Sequence, residues 1–429
     1  MKKNIPTVPF ILLIAAFVFA ASCNKKISAD LALEQKTQQQ EGRASIHPSI
    51  VTLDPEETAQ FKIIQMATYL QPARLAENVT WSVNGIPGGN SQIGTISSDG
   101  LFTAPEEIPE PHIIHIVGHT DEVQNSTQVA TVKMGANRAC FESVFSYSEP
   151  RDESEYFFNP HGITLDADGN IAIIDEVTHY AVRFSSKGEF LGYIGDGPGQ
   201  EDGETYRPRV ILNSPDNELF ITDQKVFGNR IQVFSNNGGF LRSFGPRGHA
   251  PGGSLRIHGL DLDSNGNAFV IDSDNSRVTG FTPEGKYLKS WGQDGYRRED
   301  FNAPHGLVID SNDDVFIGNY FSGIQKFDAE GNYLLTFGRG NPPDGSVYIH
   351  AISIDQWGNI YSMVRGRRGY GYVDVDNIEM FNNNGDFVCG ARLSEKDFSA
   401  NWAYIDEKGY IYVVFAGGGR SGFEILAPK

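Results

Sequence analysis

From about residue 160 onward, apolar side chains come in short alternating runs, and polar turns rich in Asx-Gly and Glu-Gly separate them. A period of two predicts half-buried strands, and such turns predict the hairpins that join them. One stretch shows the whole unit. The run 259–263 (Gly-Leu-Asp-Leu-Asp) is followed by the turn Ser264-Asn265-Gly266-Asn267 and the run 268–272. After a short loop come 277–281, the turn Pro283-Glu284-Gly285, and 287–292. Four short antiparallel strands result. The same order recurs around Asp168-Gly169-Asn170 with Lys187-Gly188-Glu189, and around Asn312-Asp313-Asp314 with Glu330-Gly331-Asn332.

The unit repeats six times, and four copies place a histidine at the opening of the first strand. The copies begin at Pro160-His161-Gly162, Pro208-Arg209-Val210, Ile257-His258-Gly259, Pro304-His305-Gly306, Ile349-His350-Ala351 and Asn401-Trp402-Ala403, at spacings of 48, 49, 47, 45 and 52 residues. Periods of that length mark propellers and solenoids. Strand arithmetic favours a closed ring. The last copy has runs at 402–405, 410–414 and 422–426, then reaches Lys429 one strand short. The run 140–146 lies upstream as a spare strand, and pairing it into the last copy would hide both sheet edges. The expected fold class is all-β: a six-bladed β-propeller over 138–429, preceded by a small β-sandwich over 44–137.

In that first region, runs such as 49–53, 79–83, 112–117 and 128–132 alternate, and Asn84-Gly85, Gly88-Gly89-Asn90 and Asp99-Gly100 mark turns. Its segment from Trp81-Ser82-Val83-Asn84 through Gly94-Thr95-Ile96-Ser97 to Gly100-Leu101-Phe102-Thr103-Ala104-Pro105 resembles bacterial immunoglobulin-like domains, which implies a spacer or adhesive role. His112, His115 and His119 cluster there; period-2 geometry puts 112 and 115 on opposite strand faces, so they read as surface or packing residues.

The start of the chain changes the picture. Met1-Lys2-Lys3 and the apolar run 9–21 have the pattern of an export signal, too short to span a bilayer comfortably. It ends at Ala21-Ser22-Cys23, which resembles the lipobox of bacterial lipoproteins. That resemblance implies a signal peptide at 1–22, lipidation of Cys23, and anchoring to a bacterial membrane, at the outer membrane or cell surface. Residues 23–43 are polar and read as a flexible tether.

Charge narrows the partners. Thirty-five Lys and Arg against 54 Asp and Glu give a net −19, which argues against nucleic acid, whose phosphates call for a basic surface. A monomer contacting the membrane only through its lipid is expected. Only Cys140 and Cys389 remain beyond Cys23, too few for a disulfide scaffold or a cysteine zinc site. They fall on outer strands of neighbouring repeats, and the sequence leaves their pairing open. Asp175, Asp223 and Asp272 recur after the second strand and read as turn caps beside Arg230 and Arg277. Ser-His-Asp spacing, phosphate loops and HExxH are absent.

The repeated Gly-Asn and Asp-containing turns resemble the NHL-repeat propeller family over 138–429. In such a ring, His161, Arg209, His258, His305, His350 and Trp402 all approach one mouth of the central channel. Imidazoles wedged between blades and a water-filled channel are one reading. The other starts from alternate blades: His161, His258 and His350 could converge as a three-histidine zinc site. Blade one, from Pro160-His161-Gly162-Ile163 through Asp168-Gly169-Asn170 to Asp175 and His179, resembles peptidyl-α-hydroxyglycine α-amidating lyase. That resemblance implies a central zinc held by those three histidines. His258 and His350 depart from it, with isoleucine in place of the preceding proline. Arg209 could then fix a carboxylate and His305 act as general base. The loop carrying Arg365, Arg367, Arg368, Tyr370 and Tyr372 would rim the mouth.

Three functions follow from these readings. The first is an exported binding protein that takes a protein, peptide or glycan at the mouth, through Arg209, Arg365, Arg367, Arg368, Tyr370 and Trp402. The alternative is a zinc-dependent lyase or hydrolase of a small anionic substrate, and the third a purely structural adhesin.

Overall fold

The computed structural model describes residues 43–66, 72–122, 127–136, 139–150, 157–225, 228–245, 253, 256–295, 297–320, 322–338, 347–366, 378–394 and 398–429. The side chains of 225, 228, 347, 365, 366 and 398 are not among them. Cys23, expected to be lipidated, and the expected signal and tether through residue 42 lie outside, as do Arg367, Arg368, Tyr370 and Tyr372. All regular structure among the described residues is β-strand.

Residues 141–428 form six four-stranded antiparallel sheets arranged as a closed propeller. Blade one runs through Pro160–Leu165, Ile171–Asp175, Ala181–Phe184 and Phe190–Tyr193, and the next four blades repeat this order without crossovers. Blade six takes Phe398–Ile405, Ile411–Gly417 and Arg420–Pro428 from the chain's end, and its outer strand, Phe141–Pro150, from upstream of blade one. The spare strand thus closes the ring. It extends four residues past the sequence expectation, with a bulge between Ser143 and Phe145.

Second strands are covered on both faces by neighbouring blades, so they are buried throughout, as in Ile171–Asp175, Ala268–Asp272 and Val315–Asn319. Outer strands face solvent, leaving Phe190, Leu191 and Tyr193 exposed. In five of the six blades the first hairpin is pinned by one aspartate. Asp166 Oδ1 accepts from the backbone N–H of Asp168 (3.0 Å) and Asn170 (2.8 Å), and Asp263, Asp310, Asp355 and Asp406 repeat the device.

Upstream, three further sheets share one core built on Phe61, Trp81, Phe102 and Ile116. The largest pairs Ile113–His119 with Thr127–Met134 and Thr80–Val83, and adds Ile50–Leu53 parallel to Thr127–Met134. Gly94, at φ +88°, passes so close to Phe102 that a Cβ would stand 2.5 Å from the ring.

This unit seats on the turn end of blades four to six. Arg43 makes a two-pronged ion pair with Asp314 at 2.8 and 3.1 Å, Ser49 bonds Asp386, and Lys133 donates to the carbonyl of Val388. His112 and His115 are buried in this joint, whereas His119 stays at the surface and bonds Thr127 and Asp121. The sequence had left Cys140 and Cys389 open; they form a disulfide with Cα atoms 6.4 Å apart, tying the closing strand to the outer strand of blade five. One face of the propeller is thus occupied. The face where the innermost strands begin lies about five residues away, roughly 16 Å along a strand.

Candidate functional site at the propeller mouth

In five of the six blades the repeated position at the head of the inner strand is a β-bulge. The pairing of first and second strands skips one residue between Pro160 and Gly162, Ile257 and Gly259, Pro304 and Gly306, and Ile349 and Ala351. The skipped residues are His161, His258, His305 and His350. A bulged residue leaves the ladder and its side chain is re-aimed, which is how strands with otherwise buried faces present imidazoles at the channel mouth.

Blade six corrects the sequence alignment. Its bulge falls between Ala400 and Trp402, so the ring residue is Asn401. Trp402 is one step further on, 6% exposed in the core, at the position where blades one, three and four carry Gly162, Gly259 and Gly306. The error arose from matching the first aromatic of the run to the histidines. The signal that locates the bulge is the hairpin aspartate, which follows His161, His258, His305, His350 and Asn401 alike at five residues.

A circuit of hydrogen bonds links neighbouring blades at this level. His161 Nδ1 donates to the carbonyl of Arg209 (2.9 Å), His305 Nδ1 to that of His350 (2.8 Å), and His350 Nδ1 to that of Asn401 (3.0 Å). Asn401 Nδ2 donates to the carbonyl of Pro160 at 2.6 Å, joining the last blade to the first. These contacts place the proton of each of the three imidazoles on Nδ1. The circuit stops at His258. Its ring packs 4.0 Å from that of His305, it is 4% exposed, and neither nitrogen has a protein partner. Burial, then the adjacent His305, Arg209 and His161, push its pKa far down, so the imidazole is neutral.

Arg209 fills the ring position of blade two and does not stand as a lone cation. Its Nη2 bonds Glu176 Oε1 at 2.5 Å, and Arg207 reaches the same oxygen at 2.7 Å. Burial lowers the Arg209 pKa and Glu176 opposes the shift. Arg209 Nε and Asn401 Oδ1 are buried without a protein partner. Arg256, two residues before His258, faces Asp274 at 3.6 Å. Across the mouth, Tyr320 stacks on Tyr348 at 4.4 Å and packs against His305 at 4.8 Å. Arg207, Glu176, Arg256, Asn401 and the two tyrosines were missed in the sequence. Arg207 and Arg256 each stand two residues before a ring position, a periodic signal that was there to be read.

The chain approaching each bulge is held by the aspartates of the second strand. Asp175 accepts from the N–H groups of Phe158 and Asn159, Asp223 from Tyr206 and from the Arg230 side chain, and Asp272 from Arg256. Asn319 does the same for Asn302. Burial raises Asp175 and its four backbone donors oppose this. Arg230 meets Asp223 as expected, and Arg277, paired opposite Asp272 in the sheet, also donates to the carbonyl of Gly253.

The residues as placed do not fit a three-histidine zinc centre. Among the described residues no three His, Cys, Asp or Glu side chains are grouped closely enough to hold a metal ion. The imidazoles follow one another around the rim instead, with ring centroids 4.0 Å apart for His258 and His305, 4.9 Å for His305 and His350, and 5.4 Å for His350 and His161. His305, expected as a separate base, is thus interposed between two of the expected ligands. Of the rim loop, only the backbone of Arg365 and Gly366 is described.

No family model matches the chain. Peptidyl-glycine alpha-amidating monooxygenase B of Xenopus laevis is 25% identical over 223 residues, covering 48% of this chain and 24% of that protein. The A form from the same organism is 26% identical over 223 residues. The chain spans about a quarter of the length of these curated relatives. A structural genomics protein of unknown function from Bacteroides thetaiotaomicron superposes with a TM-score of 0.50 at 12% identity, over 90% of this chain and 97% of that one. Virginiamycin B lyase from Staphylococcus aureus gives a TM-score of 0.46 at 12% identity, over 67% of this chain and 99% of that one. The fold is a β-propeller with a distant resemblance to the amidating enzymes.

Proposed function

We propose that this chain is an exported, lipid-anchored binding protein whose propeller mouth receives part of a peptide, protein or glycan. One observation carries the reading: three of the six ring residues hold buried polar atoms that no protein group satisfies. They are Arg209 Nε, both nitrogens of His258, and Asn401 Oδ1. Such groups cost free energy unless a ligand or water answers them. A neutral imidazole offers one donor and one acceptor, Arg209 a donor and Asn401 an acceptor. Together they make a floor suited to a polar group entering along the axis. Among the described residues, the N-terminal unit contacts the opposite face of the propeller, which supports a spacer role for that unit.

The test is calorimetric binding of short acidic peptides and oligosaccharides to the full chain and to His258→Ala and Arg209→Gln. Binding lost in both variants, with unfolding temperatures retained, supports the mouth. Ligands that bind both variants as tightly as the natural chain overturn it. Metal analysis of the same samples decides the zinc-dependent lyase alternative: one zinc per chain, absent from His161→Ala, would replace the binding reading.

A further inference from the structure

We infer that the ligand of the mouth is an acidic sugar, a short glycan carrying a uronate carboxylate. The inference rests on the mouth being the binding surface and adds its chemistry. The first support is charge. In a chain of net −19, blades one to three gather Arg207 and Arg256 around Arg209, three cations against two carboxylates, Glu176 and Asp274. Glu176 is shared by Arg207 and Arg209, while Arg256 is 49% exposed and only loosely opposed by Asp274 at 3.6 Å. One cation is in excess and faces solvent, where it can take a carboxylate in two parallel hydrogen bonds.

The second support is the aromatic wall. Tyr320 and Tyr348 lie parallel, 13° between planes, and both are partly exposed. A flat tyrosine face attracts the positively polarised C–H groups of a sugar ring and covers them from water. His305 touches both sides of the site, 4.0 Å from His258 and 4.8 Å from Tyr320. The wall and the imidazole floor are therefore within reach of one or two sugar residues.

The third support separates sugars from peptides. The unpartnered ring atoms are donors and acceptors mixed within one rim. A hydroxyl both donates and accepts at a single atom, whereas a peptide unit separates those functions and fixes their directions. Adjacent hydroxyls answer such a rim with less geometric demand.

Titration calorimetry of the full chain with digalacturonate, maltose and the dipeptide acetyl-Gly-Tyr tests this. Digalacturonate should bind at least about tenfold tighter than maltose, the gain of one charge-assisted contact. Arg256→Ala should remove that gain and leave maltose unchanged, and Tyr348→Ala should weaken both sugars. Both residues are at the surface or partly so, and thermal unfolding checks that the variants fold. Acetyl-Gly-Tyr binding as tightly as digalacturonate, and equally sensitive to His258→Ala, would overturn the sugar while leaving the mouth in place. Digalacturonate binding that ignores both Arg256→Ala and His258→Ala, or none at all, overturns the inference; if the acetyl-dipeptide also fails or ignores His258→Ala, the mouth reading falls with it.

Discussion

Asn401 in the last blade donates its side-chain amide to the carbonyl of Pro160 in the first, 2.6 Å away. The bond spans 241 residues of sequence and closes the inner rim, just as pairing of Phe141–Pro150 with Arg420–Pro428 closes the outer one.

Asn401→Ala should therefore do two things. It leaves the Pro160 carbonyl without its donor, at about 1–3 kcal/mol, and it removes an acceptor from the binding floor. Trp402→Phe should act through packing alone and leave ligand affinity within about twofold, a difference of some 0.4 kcal/mol. Chemical denaturation and calorimetry on both variants check this; the reverse pattern would restore Trp402 to the ring.

Asp261, in the inner strand of blade three, is half-buried, and desolvation of its carboxyl raises its pKa to about 6 against the pull of the Ile309 and Leu262 N–H groups. The folded state binds this proton more tightly than the unfolded chain, so the group's contribution falls as pH rises from about 4 to about 6. Asp261→Asn should stabilise the protein at pH 8 by on the order of 3 kcal/mol and do nothing at pH 4. Denaturation midpoints at the two pH values measure the difference.

His115 lies flat on Trp357 of blade five, ring centroids 4.9 Å and planes 10° apart, and its Nε2 accepts from Asn359 at 2.9 Å. Burial lowers its pKa to about 3. The unfolded chain takes up the proton first, so stability should fall between about pH 6.5 and 3, by on the order of 5 kcal/mol over the whole range. His115→Phe keeps the stack and removes the titration. Its unfolding temperature should vary less with pH than that of the natural chain.

The Cys140–Cys389 bridge closes a loop with a sequence separation of 249 residues. Chain entropy assigns such a loop about 5 kcal/mol. Reduction by dithiothreitol should lower the unfolding temperature, and Cys389→Ser should reproduce the drop and abolish the response to reductant. Thiol titration of the unreduced, denatured protein should find neither cysteine free.

Much of this fold was legible because its signals are local. Alternating runs and Asx turns recur within each blade, and counting strands was enough to assign residues 140–146 to the last sheet. The site was less legible. His161, His258, His305 and His350 were found because a histidine is conspicuous in a repeat. Asn401 was not, because it is an ordinary polar residue beside a conspicuous tryptophan, and the register shift that marks its bulge appears only in the pairing with the second strand. Arg209 was read as a residue that could fix a ligand's carboxylate, since nothing in the local sequence announces that Glu176, 33 residues earlier, meets it across the blade boundary.

By itself, then, the sequence determined the all-β class, the number of blades and the strand that closes them, since hydrophobic periodicity and turn chemistry act over a few residues. Only the tertiary structure decided which residue each bulge turns toward the channel, that Cys140 meets Cys389, and that His258 alone among the four ring histidines has neither nitrogen bonded. Those outcomes depend on the packing of one blade against the next, and the neighbours involved are about fifty residues apart or more.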